Sequence, residues 1–316
     1  MRILVTGGAG FIGSHLVRWL VEQDHTVKVL DNFSTGSPQL LGSAVTSIEL
    51  IEGDIREQLT INNAATDVDI IFHLAALVSV VESIENPLRA QEINATGTLQ
   101  VLEAARKAGV GRVVQASSSA VYGNNENIPV SEIELPQPLS PYATTKLSAE
   151  YSGKLYTHLY DVETVALRFF NVYGPRQDPG SPYAAVIPRF IEALNAGKQP
   201  TIYGDGQQSR DFVFVGDIVQ ALWVAATTPG IAGEVFNVGL GNDISILELA
   251  LVIGKILGVT VEPNFLPARV GEVRKSCADV SLFAEKAKFR GLTELHEGLE
   301  MTIGAWQEKL LHYSYL

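Results

Sequence analysis

The stretch Ile3-Leu4-Val5-Thr6-Gly7-Gly8-Ala9-Gly10-Phe11-Ile12-Gly13 decides the fold of this chain. Its first four residues predict a buried strand, and the run from Phe11 to Glu22 has apolar residues at helical spacing. Glycines at the spacing G-x-x-G-x-x-G join the two elements, and such a turn can bring a dinucleotide pyrophosphate against backbone N–H groups at a helix N-terminus. The segment therefore predicts a dinucleotide site formed by Gly7, Gly10, Phe11, Ile12 and Gly13.

Downstream of this loop, short β-branched runs alternate with longer amphipathic stretches, a pattern typical of βαβ units. The alternation predicts the α/β class, with a Rossmann-type doubly wound parallel sheet. After residue 170 the chain becomes rich in proline and glycine, and a smaller C-terminal substrate-binding domain is expected to be interleaved with the first. We predict a cofactor domain of residues 1–170 and 212–242, and a substrate domain of residues 171–211 and 243–316. A short strand is predicted near Val259–Pro263.

Asp31 ends the predicted second strand, eighteen residues after Gly13. A carboxylate in this place can accept hydrogen bonds from adenosine ribose hydroxyls and would repel a 2′-phosphate, so the sequence favours NAD over NADP. Two further groups stand at the carboxyl ends of later strands, where ligands of doubly wound sheets bind. They are Asp54-Ile55 and Leu74-Ala75-Ala76.

Tyr142 and Lys146 are four residues apart, so in a helix their side chains share one face. Ser140 suits the N-cap of that helix and Pro141 suits its first turn. A nearby ammonium favours the phenolate form and is expected to lower the tyrosine pKa. The pair therefore predicts proton exchange with a substrate hydroxyl.

The composition excludes several classes of partner. The chain has 316 residues with a formal net charge of −12, which argues against nucleic acid and anionic membranes as partners. The single cysteine, Cys277, cannot form an intrachain disulfide and fits a reducing compartment. No apolar stretch reaches the length of a membrane span, and the N-terminus runs directly into the glycine loop. A cytoplasmic protein without a metal site is expected.

With these motifs in place, the chain resembles the extended short-chain dehydrogenase/reductase family, in particular its nucleotide-sugar 4-epimerases. The resemblance runs from Met1 to about Ser281 and rests on seven ordered blocks. They are Thr6–Gly13, Asp31–Gly36, His73–Ala76, Ser117–Gly123, Tyr142-x-x-x-Lys146, Arg168–Arg176 and Ser209–Val213.

The resemblance implies roles for individual residues. Ser118, Tyr142 and Lys146 would be catalytic: Tyr142 removes a proton from the sugar 4-hydroxyl, Ser118 relays it, and Lys146 holds the nicotinamide ribose. The resemblance adds Asn32, Ser34, Thr35, Gly36 and Phe169 to the NAD contacts. The residues implied for a UDP-sugar are Ser118, Ser119, Asn171, Ala185, Val186, Tyr203, Arg210, Arg269, Glu272 and Ser276. The chain departs from many members in having Glu272 in place of Asp and Phe169 in place of Tyr.

Small residues at two places in the sequence limit which reaction and which substrates the resemblance implies. Related dehydratases and decarboxylases have carboxylates where this chain has Ser119 and Ala120, and alanine cannot transfer protons. This difference favours simple epimerisation. At the position of Ser276, a tyrosine closes the sugar pocket of similar epimerases against a 2-acetamido group, so serine predicts that UDP-GlcNAc and UDP-GalNAc are accepted along with UDP-Glc and UDP-Gal.

Other functions stay open at this point. An acid-sugar reaction, namely epimerisation or decarboxylation of UDP-glucuronate, uses the same scaffold. A non-catalytic NAD-binding regulator could also keep the fold, because a fold does not establish a function. The family further implies a homodimer formed through the helices near Pro87–Lys107 and Tyr142–His158.

Overall fold

A computed structural model describes residues 1–178, 180, 185–268, 273–291 and 293–313 of the chain. The strands, in chain order, are β1 (Arg2–Thr6), β2 (Thr26–Asp31), β3 (Ile48–Glu52), β4 (Ile70–His73), β5 (Arg112–Ser118), β6 (Glu163–Phe169), β7 (Asn171–Tyr173), β8 (Thr201–Tyr203), β9 (Ser209–Phe214), β10 (Val235–Val238), β11 (Asp243–Ser245), β12 (Asn264–Leu266) and β13 (Lys275–Ser276). The α-helices are α1 (Phe11–Glu22), α2 (Gln58–Ala64), α3 (Val80–Glu85), α4 (Pro87–Ala90), α5 (Gly97–Ala108), α6 (Pro141–Tyr160), α7 (Val186–Asn195), α8 (Val215–Thr227), α9 (Ile246–Leu257), α10 (Ser281–Ala287) and α11 (Leu295–Tyr313).

Within the described residues, seven parallel strands form the central sheet in the order β10-β6-β5-β4-β1-β2-β3. Apart from the edge strand β3, most of their residues are buried, and the buried residues are mainly apolar. The strand order reverses between β1 and β4, so a crevice opens there at the carboxyl edge of the sheet. The predicted doubly wound α/β fold is confirmed.

Helices cover both faces of this sheet and bury their apolar stripes against it. On one face, α1 and α8 contact each other and bury residues such as Leu16 and Leu222. On the other face, α2 and α5 bury residues such as Ile61 and Leu102. The two layers hold the strand ends rigidly, which fixes every loop that leaves the carboxyl edge.

The helix expected near Pro87–Lys107 is present but is not uniform. Gly109 ends it in the left-handed conformation, φ 69°, a common form of helix C-terminus. Between α4 and α5, however, residues Gln91–Thr96 form a π-helical segment, whose wider turn is common at functional sites. Helical periodicity alone does not distinguish this turn from a regular one.

A second, smaller core lies beside the main sheet. Strands β7, β9, β11 and β13 form one small sheet, and β8 pairs with β12. Their apolar side chains pack with α7, α9 and α11 around Phe190, Phe212 and Leu249. The predicted boundaries between a cofactor domain and a substrate domain remain a prediction.

The strand predicted at Val259–Pro263 is wrong, because the pairing strand β12 begins one residue later. Val259 instead hydrogen-bonds through its N–H to the Gly254 carbonyl, and Val261 packs against Gly254. These residues therefore close the end of α9. No helix among the described residues combines the length and apolar character that a membrane crossing needs.

Candidate active site

The glycine loop after β1 is a tight turn that places the N-terminus of α1 at the carboxyl edge of the sheet. Gly7 has φ 70° and donates its N–H to the Leu30 carbonyl at 2.8 Å. A Cβ on Gly13 would lie 2.1 Å from the Gly7 oxygen, so only glycine fits there. Gly10, Phe11 and Ile12 form the turn into the helix. Its first N–H groups have no helical partner and suit a pyrophosphate.

Asp31 ties this loop to the end of β2. One carboxylate oxygen accepts a hydrogen bond from the Ala9 N–H and the other accepts one from the Phe33 N–H, each at 2.9 Å. Burial raises the pKa of Asp31, and these two hydrogen bonds act against that rise. The carboxylate is thus fixed in orientation beside the glycine loop, as a ribose contact requires.

The segment after Asp31 folds over the glycine loop. A Cβ on Gly36 would lie 2.7 Å from the backbone of Ala9, so the two loops are in close contact. Ser34 donates its N–H to the Asn32 side chain, and Asn32 donates to Asp54 at 2.9 Å. The predicted NAD contacts that the structure brings together here are Asp31, Asn32, Ser34, Thr35, Gly36, Asp54 and Ile55.

The loop after β4 lies against the other side of the glycine loop. A Cβ on Gly7 would lie 2.6 Å from the Ala75 nitrogen, so the predicted contacts Leu74, Ala75 and Ala76 border the same crevice. Beneath them His73 is buried between the hydroxyls of Thr6 and Thr98, at 2.8 and 3.0 Å. Burial, together with the nearby Lys146, lowers the pKa of His73 to about 3, so the imidazole is neutral.

Asn94, in the π-helical segment, joins this loop to the catalytic helix. Its side chain accepts from the Leu77 N–H at 2.7 Å and donates to the Leu77 carbonyl at 3.0 Å. It also donates to the hydroxyl of Thr145, which lies between Tyr142 and Lys146 on α6. Sequence reasoning missed this residue, because its role depends on the irregular turn.

The helix start predicted before Tyr142 is confirmed. Ser140 is the N-cap of α6 and accepts from the Ala143 N–H, and Pro141 is the first helical residue. The Tyr142 N–H donates to Ser83, whose side chain is buried under the helix. The start of α6 is therefore fixed by contacts on two sides.

Tyr142 and Lys146 lie together on the buried face of α6. The Lys146 ammonium lies 5.8 Å from the centre of the Tyr142 ring and donates to the Ala116 carbonyl at 2.9 Å. Tyr142 hydrogen-bonds with the side chain of Ser118, at the end of β5. Phe169 is the register partner of Ser118 on β6. The three predicted catalytic residues thus meet at the carboxyl edge.

The expectation of a lowered tyrosine pKa is wrong for the protein alone. Burial raises the pKa of Tyr142, and only the hydrogen bond with Ser118 acts against the rise. The Lys146 ammonium is directed at a backbone carbonyl, which explains its weak effect on the phenol. Burial also lowers the pKa of Lys146 to about 8, and the Glu150 carboxylate opposes that change.

Ser119 and Ala120 begin a short 3₁₀ turn directly after Ser118. The Ser118 hydroxyl accepts a hydrogen bond from the Ala120 N–H at 3.2 Å. Neither position carries a carboxylate that could act beside Tyr142. The turn therefore offers hydroxyls and an amide, with no acid of its own.

Three of the residues predicted to bind the sugar nucleotide lie in the small sheet, and others lie on neighbouring elements. Arg210 on β9 and Ser276 on β13 are register partners, so they are neighbours. Asn171 on β7 donates to the Asp211 carbonyl, and Tyr203 ends β8. Ala185 caps the start of α7 and Val186 is its first residue. Arg269 and Glu272 lie outside the described residues.

Asp211 is a buried group of this sheet that sequence reasoning missed. Its carboxylate accepts hydrogen bonds from the N–H groups of Leu240, Gly241 and Ala278, at 2.8 to 3.0 Å. Burial raises the pKa of Asp211 to about 6 against these hydrogen bonds. The residue joins the end of β10 to the segment that carries Ser276.

The geometry of the crevice agrees with the protein family that the sequence matches. The model of the NAD dependent epimerase/dehydratase family matches residues 3–239. The chain belongs to this family. NAD is accordingly its cofactor, and the glycine loop with Asp31 suits that dinucleotide.

Individual family members are similar over nearly the whole chain. A UDP-glucose 4-epimerase of Mycolicibacterium smegmatis is 42% identical over 313 residues, which are 98% of this chain and 99% of that protein. The structure of a UDP-N-acetylglucosamine 4-epimerase from Methanobrevibacter ruminantium, in complex with UDP-N-acetylmuramic acid, matches with a TM-score of 0.93 at 39% identity, covering 98% of each chain. A UDP-N-acetyl-alpha-D-glucosaminuronate decarboxylase of Bacillus cytotoxicus is 35% identical over 320 residues, 97% of this chain and 98% of that protein.

Proposed function

We propose that this protein is a UDP-hexose 4-epimerase that interconverts UDP-Glc and UDP-Gal, and also UDP-GlcNAc and UDP-GalNAc. The observation that carries the proposal is the meeting of Ser118, Tyr142 and Lys146 beside the glycine loop. The similarity to epimerases of both sugar types supports the substrate class.

The cofactor site is assigned to backbone groups of the loops after β1, β2 and β4. The close contacts at Gly7, Gly13 and Gly36 leave no room for side chains that would cover the amides, and Asp31 presents a fixed carboxylate. Lys146 is assigned to the nicotinamide ribose. When bound, NAD accepts a hydride from the sugar and later returns it.

Tyr142 is assigned as the base that removes the proton from the sugar 4-hydroxyl, with Ser118 relaying it. Loss of that proton and of a hydride from C4 leaves a 4-keto sugar. After the sugar turns over, the same tyrosine returns the proton to the oxygen as the hydride arrives on the opposite face. The raised pKa of Tyr142 suits the return step, in which a neutral phenol must donate.

The turn at Ser119 and Ala120 favours epimerisation over elimination. A dehydratase needs groups that protonate a departing hydroxyl and take a proton from C5, work that carboxylates do. This turn has only a hydroxyl and a methyl group. Epimerisation or decarboxylation of UDP-glucuronate is the second candidate, and the similarity to a uronate-sugar decarboxylase favours testing it.

The direct test is to incubate the purified protein with UDP-Glc, UDP-GlcNAc and UDP-GlcA separately, without added NAD, and to separate the products. We expect conversion of the first two to their 4-epimers, with no loss of carbon dioxide or water. Turnover of UDP-GlcA alone would instead establish the second candidate. No product from any of the three would refute both, and so favour a non-catalytic regulator.

We also propose that the protein forms a homodimer through α6 and the helices around Leu88. Apolar side chains there are strongly exposed, including Leu88 at 78%, Leu155 at 54% and Leu159 at 57%. Exposed patches of this kind mark interaction surfaces. Light scattering after gel filtration should show twice the chain mass, and Leu155→Glu should halve it. Leu251→Glu, at an exposed leucine of α9, should leave the mass unchanged.

A further inference from the structure

Behind the catalytic residues lies a buried ion pair that the proposed chemistry does not use. Arg168 on β6 donates from Nε and Nη2 to the two carboxylate oxygens of Glu150 on α6, at 2.9 and 2.7 Å. Both side chains are about 95% buried. The hydroxyl of Ser117, next to Ser118 on β5, also donates to this carboxylate. Glu150 is therefore held in one place by three donors.

Arg168 is itself fixed on its far side. Its Nη1 donates to the Tyr122 hydroxyl at 2.8 Å, and that hydroxyl donates to Asn237 on β10 at 2.6 Å. The pair thus belongs to a chain of contacts that runs across three neighbouring strands of the sheet. The two hydrogen bonds from the arginine are charge-assisted and hold the carboxylate in a fixed orientation.

The Glu150 carboxylate stands one helical turn beyond Lys146, as Lys146 stands one turn beyond Tyr142. The ionisable groups that surround Lys146 are Tyr142 and Glu150 on α6 and His73 at the end of β4, with Arg168 on β6 behind Glu150. His73 is neutral, and Tyr142 is uncharged near neutral pH. Glu150 is therefore the negative charge that faces the ammonium among the described residues.

We propose that Glu150, fixed by Arg168 and Ser117, is a positioning residue that keeps the Lys146 ammonium charged beside the cofactor. Burial favours the neutral amine, and an amine could neither attract a phenolate nor bind the ribose as a cation. The Glu150 carboxylate opposes this effect of burial and favours the charged ammonium. The inference rests on the proposed function for what Lys146 does, but the charge of Lys146 can be measured without any substrate.

A second arginine–glutamate pair, which joins β5 and β6, supplies a control. Arg112 on β5 donates to Glu163 on β6 at 2.8 Å, and it also donates to the carbonyl of Thr228. Arg112 lies five residues before Ser117, which is about 16 Å along the strand. Removal of the Glu163 charge leaves a buried arginine without its ion partner, as removal of the Glu150 charge does. This arginine, however, is far from Lys146.

The experiment follows the side-chain titration of Lys146 by NMR in the NAD-loaded protein, with ¹³C-labelled lysine and the signal assigned from Lys146→Met. The wild-type midpoint is expected near pH 8. In Glu150→Gln the midpoint should fall by about one pH unit or more. It should stay unchanged in Glu163→Gln and close to the wild-type value in Glu150→Asp.

An unchanged midpoint in Glu150→Gln would overturn the inference and leave the pair with a structural role only. If that variant does not fold, the double variant Glu150→Met/Arg168→Met replaces the pair by apolar side chains, a change that buried pairs often tolerate. Its midpoint should also fall, since Glu150 opposes the effect of burial on the pKa of Lys146 and Arg168 is not among the groups that act on it. A shifted midpoint in a protein that turns over no UDP-sugar would refute the proposed function and leave this inference standing.

Discussion

The cofactor crevice and the small sheet differ in which part of the chain offers contacts to a ligand. The crevice offers backbone N–H groups of tight loops, fixed by contacts of 2.9 Å or less between loop and strand. In the proposed substrate site, the small sheet would offer the side chains of Arg210, Asn171 and Ser276, on strands of two to six residues. The contacts of a site formed by backbone groups are altered only by substitutions that move the loop. The contacts of a site formed by side chains can be altered by substituting one contacting residue at a time.

The largest effect is expected at Tyr142, the proposed base at the carboxyl edge of the main sheet. Tyr142→Phe removes the group that moves the proton, so epimerase turnover should fall by about 10²- to 10⁴-fold. Bound NAD and thermal stability should stay close to wild type, because the ring still fills its buried site. Product analysis on the protein with its retained cofactor measures the loss.

Tyr151→Phe is the matched control, because Tyr151 is an exposed tyrosine on the same helix. Its turnover should equal that of the wild type. A Tyr142→Phe protein with turnover within a few-fold of wild type would remove Tyr142 from the mechanism.

The next largest effect is expected on NAD binding in the crevice. In Gly13→Ala the new Cβ would lie 2.1 Å from the Gly7 oxygen, so the loop must shift. A misfit of this size costs about 1–3 kcal/mol, and at the cofactor site it should weaken NAD binding roughly 10- to 100-fold. The NAD released from denatured protein, per chain, measures the change.

Gly304→Ala is the control, since a Cβ there meets no atom within 4 Å and the residue lies in α11. This variant should retain NAD fully and gain about 1 kcal/mol of stability. Equal NAD content in the two variants would show that the loop is more adaptable than its contacts indicate.

The smallest effect is expected in the small sheet and should be confined to one type of substrate. Ser276→Tyr places a bulky side chain beside Arg210, where it should exclude a 2-acetamido group. Turnover of UDP-GlcNAc should be lost while that of UDP-Glc remains, so the unacetylated sugar is the internal control. Equal loss on both sugars would contradict the assignment of Ser276 to the sugar pocket.

The features that the sequence predicts well are local ones. The glycine loop, Asp31 and the start of α6 each depend on a few consecutive residues, whose backbone preferences point to one structure. The pair Tyr142 and Lys146 follows from helix spacing alone. Tyr142 and Lys146 could therefore be placed together before their contacts were known.

The features that the sequence did not reveal depend on distant partners. Glu150 stands at the same spacing from Lys146 as Lys146 from Tyr142, a signal that could have been used, but its meaning depends on Arg168 from another strand. The raised pKa of Tyr142 depends on burial, which residue spacing does not report. The predicted strand at Val259–Pro263 failed because these residues close a helix end.

The π-helical segment Gln91–Thr96 has a consequence for which changes in length the chain can tolerate. A π turn holds one residue more than an α turn, so deletion of one residue there would produce a regular helix and leave α5 close to its present orientation. Val101, Leu102 and Ala105 would still face the sheet that buries them, whereas Asn94 would lose the position from which it bonds to Leu77 and Thr145. A deletion in this segment should therefore remove the contacts of Asn94 and spare the fold.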